Sequence, residues 1–577
     1  MRLGRRQPQP VLRWVSLSVS HSVLYRPAAS TLEPMQLADS AGAAHLSTAR
    51  MPWRPGSKWQ LWLLWLPLLT MVTLLINGYH PWSEDGGLYV AGVQLTLKPS
   101  LFPHYRVFVH EPLRYSIFAP AVAWVVRRTH LSLPWVLMLA DLFSIWLTLY
   151  AGLRILQRTV VEEAARLAGL ALLSAFWSLP IAGTSLLLMD PYVTARSFST
   201  PLSMLALAFA LDFDPQQDRV VRSLAWSGLC LALAAAFHPL MAAYAFGFLV
   251  VLVVSRLRRP YLGYTVLAAS ALLLAAALHV FAPAETPALV AAEMSRYYWF
   301  ALHWHWYELL GLVGPVAILA LLLRGYRERS DRWNQTAEAL SRAGISLGCI
   351  AALVATIFAR QGSQTHLVAR MQPLRVYLLI YAVMALLLGA KVMELALGAR
   401  RLMRTSLTRK ALSGALVAAI CCLAAIMFYA QRQTYPASEH IEFPWRVQKS
   451  PNPWVQAFLW CRKNTPPDAL FAMDARYVNE DGEDAQTFRP IAQRSAVPDY
   501  SKDGGEAAIT PSLAEQWWRG SEAQRNLSTE TDAERDARLL PLGVTWMVLH
   551  ASAATEYPCP YNNGVIKVCR LVAAEHR

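Results

Sequence analysis

The chain has 577 residues, of which 55% are hydrophobic and only 16% charged, and its mean hydropathy is positive. A soluble enzyme of this length carries about a quarter charged residues, so the proportions exclude one. The 21 Trp and 22 Tyr fit side chains that gather at membrane–water interfaces, and seven Cys are too few for a disulfide scaffold. The reading is a polytopic membrane protein.

A net charge of +15 suggests nucleic-acid binding, but its distribution argues against it. Residues 431–577 hold 16 basic and 19 acidic side chains, whereas residues 1–430 hold 37 and 19. The excess sits in short Arg clusters between apolar runs, such as Arg256-Leu257-Arg258-Arg259 and Arg400-Arg401. That is the positive-inside pattern of membrane topology. Nucleic acid is not an expected partner.

Residues 1–50 lack an apolar run long enough for a signal-peptide core and are Arg- and Ser-rich with few acids. They read as a disordered basic arm, or as an over-long start ahead of Met51. Candidate spans then follow at about 59–77, 133–153, 167–188, 199–211, 223–237, 240–255, 261–281, 309–323, 345–359, 376–398 and 411–430. Segment 113–128 is apolar but closely bracketed by Arg114, Arg127 and Arg128, as in a helix lying on the membrane surface. With that segment on the surface, and leaving out residues 1–50 and Lys391, the inside loops hold 20 Lys and Arg against 10 on the opposite side. Counting it as a span reverses the bias. The expected fold is therefore an all-α transmembrane domain, residues 51–430, of about eleven helices with the N-terminus inside and a long first outside loop, 77–132.

Residues 431–577 contain no spanning run and form the expected extracytoplasmic α/β domain. Trp454–Asn464 reads as an amphipathic helix, and Ala469–Met473 and Gly543–Leu549 as strands. Tyr561-Asn562-Asn563-Gly564-Val565 reads as a hairpin turn. Cys559 and Cys569 flank it, and an outside location favours a disulfide between them over two free thiols. Cys230, Cys349, Cys421 and Cys422 lie in spans and read as packing residues.

The chemistry-bearing residues cluster on the outside face. Span one is followed at once by Tyr79-His-Pro-Trp-Ser-Glu84-Asp85-Gly-Gly. Adjacent carboxylates near bilayer depth are paired or functional, or else cap the next helix. A further acid follows in Met189-Asp190-Pro191-Tyr192, on the same face, either as a helix cap or as a partner. Carboxylates converging from two loops would bind a divalent metal or share base and orienting roles. Arg360, Arg370 and Arg375 stand on the outside against the positive-inside trend, and planar guanidinium groups suit phosphate. Arg196 is a further cationic candidate. His303, His305 and Glu308 offer a metal set, although an aromatic interface belt with incidental His is the blander account. No phosphate-cradling glycine loop, dinucleotide fingerprint, Cys-x-x-Cys pair or Gly-x-Ser-x-Gly elbow is present.

Tyr79-His-Pro-Trp-Ser-Glu84-Asp85 after the first span, Asp190 in the next outside loop, and the tail's Trp454–Trp460 and Asn464-Thr-Pro-Pro-Asp-Ala-Leu-Phe471 resemble the GT-C glycosyltransferase superfamily. That group includes oligosaccharyltransferases, protein O-mannosyltransferases and aminoarabinose transferases. The resemblance implies transfer of a hexosyl or pentosyl unit from a polyprenyl-phosphate-linked donor, held in the bilayer, to an acceptor outside the cytoplasm. It implies Asp85 or Glu84 as base or metal-linked carboxylate, with Asp190 as its partner. Arg370 and Arg375, with Arg360 and Arg196 behind them, would hold the donor phosphate, and Mg or Mn would be the metal. The implied location is a bacterial inner membrane with the C-terminal domain in the periplasm. Two other readings remain: a transporter or flippase of a lipid-linked or anionic substrate, and a non-catalytic envelope scaffold.

Overall fold

The computed structural model describes residues 59–571 except 213–219, 328–330, 403–405, 447–448 and 475–486. The basic arm, residues 1–50, lies outside the described residues. The chain divides into two units, Met1–Leu63 and Leu64–Arg577. Of the first, the described part is the opening of helix α1, Trp59–Asn77.

The described residues are mostly helical, and among them six helices are long and apolar enough to cross a membrane. They lie at Leu133–Thr159, Pro260–Val280, Trp306–Arg327, Arg332–Phe358, within Leu367–Arg400 (whose long helix is Tyr377–Leu402) and at Lys410–Thr434. Leu61–Asn77, Val221–Phe237 and Pro239–Ser255 are shorter apolar helices. Pro260–Val280 and Lys410–Thr434 bury only 6% of their most apolar stretch, so apolar side chains face outward nearly all round, as in helices solvated by lipid. The 13-residue helix Glu163–Ala175 packs tightly against Tyr377–Leu402 because small residues meet there. A Cβ on Gly389 would come within 2.7 Å of the Ala168 carbonyl oxygen, so only glycine permits the approach.

Two expected spans differ: 199–211 lies in the largely buried 16-residue helix Ala195–Ala210, which is not among these apolar helices, and 167–188 is not one helix. Residues 167–188 are helical only to Ala175, and an irregular segment then carries the chain to Asp190. Pro180 follows closely, and Ala182 and Ser185 take left-handed backbone. This irregular stretch is stitched internally, with Ile181 N–H donating to Leu186 (2.8 Å) and Leu188 N–H to Leu179 (2.9 Å). Such backbone is tolerated in a membrane protein where protein buries it. Segment 113–128 becomes the short helix Phe118–Thr129, with Phe118, Val122 and Ala123 turned inward and Trp124 outward. That is the amphipathic pattern of a surface helix.

The C-terminal residues build a five-stranded sheet in the order β2-β1-β3-β5-β4. Its strands are β1 Leu470–Met473, β2 Ser495–Ala496, β3 Trp546–His550, β4 Tyr561–Asn562 and β5 Ile566–Arg570. β1 runs parallel to β2 and β3, whereas β5 is antiparallel to β3 and β4. Alternation sends Phe471, Trp546, Val548, Ile566 and Val568 to one face, and Leu470, Ala472, Met547, Leu549 and Cys569 to the other. Cys559 and Cys569 form a disulfide. The helix Pro453–Asn464 covers the first face with Trp454, Ala457, Phe458 and Cys461. The same core continues without a break into Trp82, Val90 and Val93 of the first loop, and into Phe118 and Val122. The sheet layer is therefore seated on helix α2, Glu84–Leu97, and Gln94 Nε2 donates to the Pro490 carbonyl across the seam at 2.8 Å.

Candidate functional site

Helix α2 opens with the acidic pair, because the chain turns sharply after Tyr79-His-Pro-Trp. Glu84 has a left-handed backbone, φ 50°, which costs a non-glycine residue about 1–3 kcal/mol and persists only where surroundings enforce it. A Cβ on Gly86 would lie 2.8 Å from the Pro81 carbonyl oxygen and 3.1 Å from Tyr192 Cβ. Glycine there lets the Asp190 loop close over the start of α2. The His80 amide donates to the Pro191 carbonyl at 2.7 Å and completes the closure.

Asp190 is buried and accepts from Arg196, whose Nε lies at 3.1 Å and whose Nη2 also bonds it. Arg196 is placed by the start of helix Ala195–Ala210, where Thr194 and Ser197 form a reciprocal cap. The same Nη2 stands 3.9 Å from Asp85 Oδ2. Asp85 and Asp190 thus converge around one guanidinium, from loops more than a hundred residues apart.

A further cation completes the group, and nothing in the motif announced it. Lys502 Nζ lies 2.5 Å from Glu84 Oε2 and 2.8 Å from Asp85 Oδ1. Lys502 begins the helix Lys502–Ile509, and three anchors fix that start. Its own amide donates to Asp499 Oδ1 at 2.7 Å. Asp503 makes a two-pronged buried bond with Arg489, at 2.8 and 2.7 Å. Arg296 donates to the Tyr500 and Ser501 carbonyls. Burial opposes ionisation of Asp85, but the charges of Lys502, Arg196 and Arg375 outweigh it and hold the carboxyl well below the usual range. Asp190 moves the other way, because burial exceeds the help from Arg196 and Asp85 repels its charge. On the Lys502 helix, Glu506 is lifted to about 8 by burial and then by the Asp85 charge, so it carries a proton at neutral pH. His238, the cap of helix Pro239–Ser255, is pushed down to about 3 by burial and by Arg196 and Arg375, and its ring is neutral. Asp141, buried within Leu133–Thr159, lies within electrostatic reach of Asp190. A lone acid inside an apolar run was the sequence signal for it. Lys502 and Glu506 had none.

The Arg candidates separate. Arg375 lies within electrostatic reach of Asp85 and lines a small cleft with Thr184, Tyr298, Trp299 and Gln372. Its guanidinium stands 5.5 Å over the Tyr298 ring. Arg375 Nε, Gln372 Oε1 and Trp299 Nε1 find no hydrogen-bond partner among the described residues. Polar atoms buried in that state want a ligand or water. Arg370 is instead directed into Glu293, with Nη2 at 2.5 Å and Nε at 3.2 Å, and stands 3.6 Å from Glu285. Two buried carboxylates already claim its charge. Arg360 is exposed and returns to the Thr356 carbonyl of its own helix at 2.9 Å, and Arg196 is buried among carboxylates that would repel phosphate.

The expected His303, His305 and Glu308 metal set does not converge. His303 and His305 are exposed, Glu308 turns back to accept the His305 amide at 2.7 Å, and the His305 ring stacks on Tyr307. Among the described residues, the ligand atoms that do meet, within 4.8 Å of one another, belong to Glu285, Glu293 and His366. His366 Nδ1 lies 2.8 Å from Glu285 and 3.3 Å from Glu293, and Nε2 faces the Gln361 carbonyl at 3.2 Å. Burial alone would lower its pKa, but bonds to Glu293, Gln361 and Glu285 raise it to about 9. At neutral pH two cations and two carboxylates therefore balance there. A metal ion would have to displace the proton of His366.

No family model matches the chain, and no curated protein matches it. Solved structures similar to this chain include two of the Archaeoglobus fulgidus oligosaccharyltransferase. The one tethered to an acceptor peptide containing the NVT sequon has a TM-score of 0.49 at 11% identity, over 85% of this chain and 69% of that one. The complex with zinc and sulfate has a TM-score of 0.40 at 12% identity, over 84% and 68%.

Proposed function

We propose that this chain is a membrane glycosyltransferase that moves a sugar from a polyprenyl-phosphate-linked donor to an acceptor outside the cytoplasm. The observation that supports this reading is the meeting of Asp85 and Asp190 around Arg196, with Glu84 joined to Asp85 through Lys502 and Arg375 in electrostatic reach. A scaffold gains nothing from enclosing three carboxylates, whereas a group-transfer site needs an ionised acceptor-side carboxylate and a cation on the leaving-group side. In this reading Asp85 takes the acceptor's proton as the acceptor bonds to the anomeric carbon. The bond from that carbon to the phosphate oxygen breaks, and Arg375 neutralises the departing phosphate. Arg196 and Asp190 hold Asp85 in place. The membrane domain spans residues 51–430 with eleven crossings and the N-terminus inside, which leaves 431–577 and the carboxylates together on the outer face.

The test is a mass-spectrometric profile of lipid-linked sugars in source cells lacking the gene, complemented with wild type, Asp85→Ala or Asp190→Ala at matched expression. One lipid-linked sugar is expected to accumulate in the deletion and in both variants. A deletion and variants with wild-type profiles would end the transferase reading.

A further inference from the structure

Carboxylates clustered as Glu84 and Asp85 are invite a divalent ion, and the resemblance read in the sequence implies one. The donor set says otherwise. A hard cation held by these two side chains would stand about 2.0–2.6 Å from an oxygen of each. Lys502 Nζ is already there, at 2.5 Å from Glu84 Oε2 and 2.8 Å from Asp85 Oδ1. An ammonium is a compact point charge with three donors, two of which these contacts use. The other Asp85 oxygen faces Arg196, and Arg196 holds Asp190. All three carboxylates thus have cations supplied by the chain. A divalent ion would have to expel Lys502, or add two positive charges beside an ammonium and a guanidinium within a few ångströms.

Lys502 is also not a surface side chain that happens to fold over. It is 19% exposed, and its helix is pinned by the Asp503–Arg489 pair, by Asp499 and by Arg296. We propose that Lys502 is the built-in cation of the carboxylate site: it occupies the place of a divalent metal between Glu84 and Asp85, and it makes the site metal-free. This deepens the function proposed above and rests on the same carboxylates. It also makes the C-terminal segment a part of the site rather than an appendage, because the orientation of Asp85 depends on a residue more than four hundred positions away. Lys502 is thus a positioning residue.

Mn²⁺ binding to the full chain, purified in detergent and followed by electron paramagnetic resonance of the free ion, tests this without any turnover. Wild type and Asp85→Asn are expected to bind the same amount of Mn²⁺. Lys502→Met is expected to gain one further equivalent, and Asp85→Asn in the same chain to remove it. Any binding at Glu285, Glu293 and His366 is common to all four proteins and cancels. Lys502→Gln serves the same purpose if the Met variant does not elute like wild type. An Mn²⁺ equivalent in wild type that Asp85→Asn abolishes would overturn the proposal, as would a Lys502 variant that folds and gains none. Because no sugar is transferred in this experiment, failure of the transferase reading shows in the lipid-linked-sugar profile and failure of the Lys502 reading shows here.

Discussion

Two of the charged clusters in this molecule differ in how completely they satisfy themselves. Glu285, Glu293, His366 and Arg370 pair their charges with one another, with side-chain exposures of 5, 0, 4 and 12%, although Glu293 Oε2 has no hydrogen-bond partner among the described residues. Glu84 and Asp85 keep 38 and 33% of their side chains open, although Lys502 and Arg196 hold them. Beside them, Arg375, Gln372 and Trp299 face a cleft with polar atoms unpartnered among the described residues. Both clusters bring acids and bases together, so proximity alone does not separate a structural network from a site. What separates them is remaining capacity. A network whose buried charges pair internally stabilises the fold, whereas one with accessible carboxylates and a guanidinium facing a cleft has something left for a ligand.

Mutations should divide along that line. Asp85→Asn should lower transfer by about 10²–10⁴-fold, the range of a positioned general base, and leave thermal unfolding near wild type. Kinetics on purified protein with a lipid-linked donor, set beside a melting curve, checks both halves. Glu293→Gln should show the reverse. Removing one partner from a buried ion pair costs about 3–5 kcal/mol, so its melting temperature should fall steeply while the folded fraction keeps its rate. Equal loss of activity per folded molecule in both variants would erase the distinction between the clusters.

Arg375→Met should reduce transfer by about 10²–10³-fold, as for loss of one donor to developing negative charge, and Arg360→Met should have little effect. Gly86→Ala sits between, because its new Cβ meets backbone at 2.8 Å and overpacking costs about 1–3 kcal/mol. Its loss should appear in both melting temperature and rate, since the Asp190 loop closes over that position.

The smallest expected effect is a pH dependence. The pKa of His366 is about 9 in the folded chain, above the ordinary histidine value, so the folded state binds this proton more tightly than the unfolded one. Its stabilisation is complete below about pH 6.5 and is lost as pH rises through about 9. Melting temperature should fall by a few degrees over that window, and His366→Gln should flatten the curve. Partial exposure and solvent screening keep the effect modest. An identical slope in His366→Gln would assign the dependence to another group.

Local and periodic features were legible in the residues themselves. Apolar run length identified the long helices, because a chain that must bury backbone polar groups in lipid has few alternatives. Period-two alternation and Asn-Asn-Gly marked the C-terminal hairpin, and cysteines flanking it are joined. The Arg bracket around 113–128 spoke against a span, and the helix there, Phe118–Thr129, is 12 residues long. Glu84, Asp85 and Asp190 were visible as acids beside apolar helices, where charge is costly. The early end of helix Glu163–Ala175 was not legible, because residues 176–188 remain apolar and only their packing shows that they are not helical.

The partners of the charges were decided by the tertiary structure alone. Arg370 and Arg375 look alike in sequence, five residues apart in one loop, yet one is consumed by Glu293 and the other faces a cleft. His303, His305 and Glu308 had the better metal spacing, yet Glu285, Glu293 and His366 meet because separate loops carry them together. Lys502 carries no local signal at all, since one lysine opening a helix in an acidic tail reads as solvated. A charge acts over a few ångströms of space, not over neighbouring positions in the chain. The sequence by itself therefore determined where charge is expensive, and only the fold decided which opposite charge offsets it.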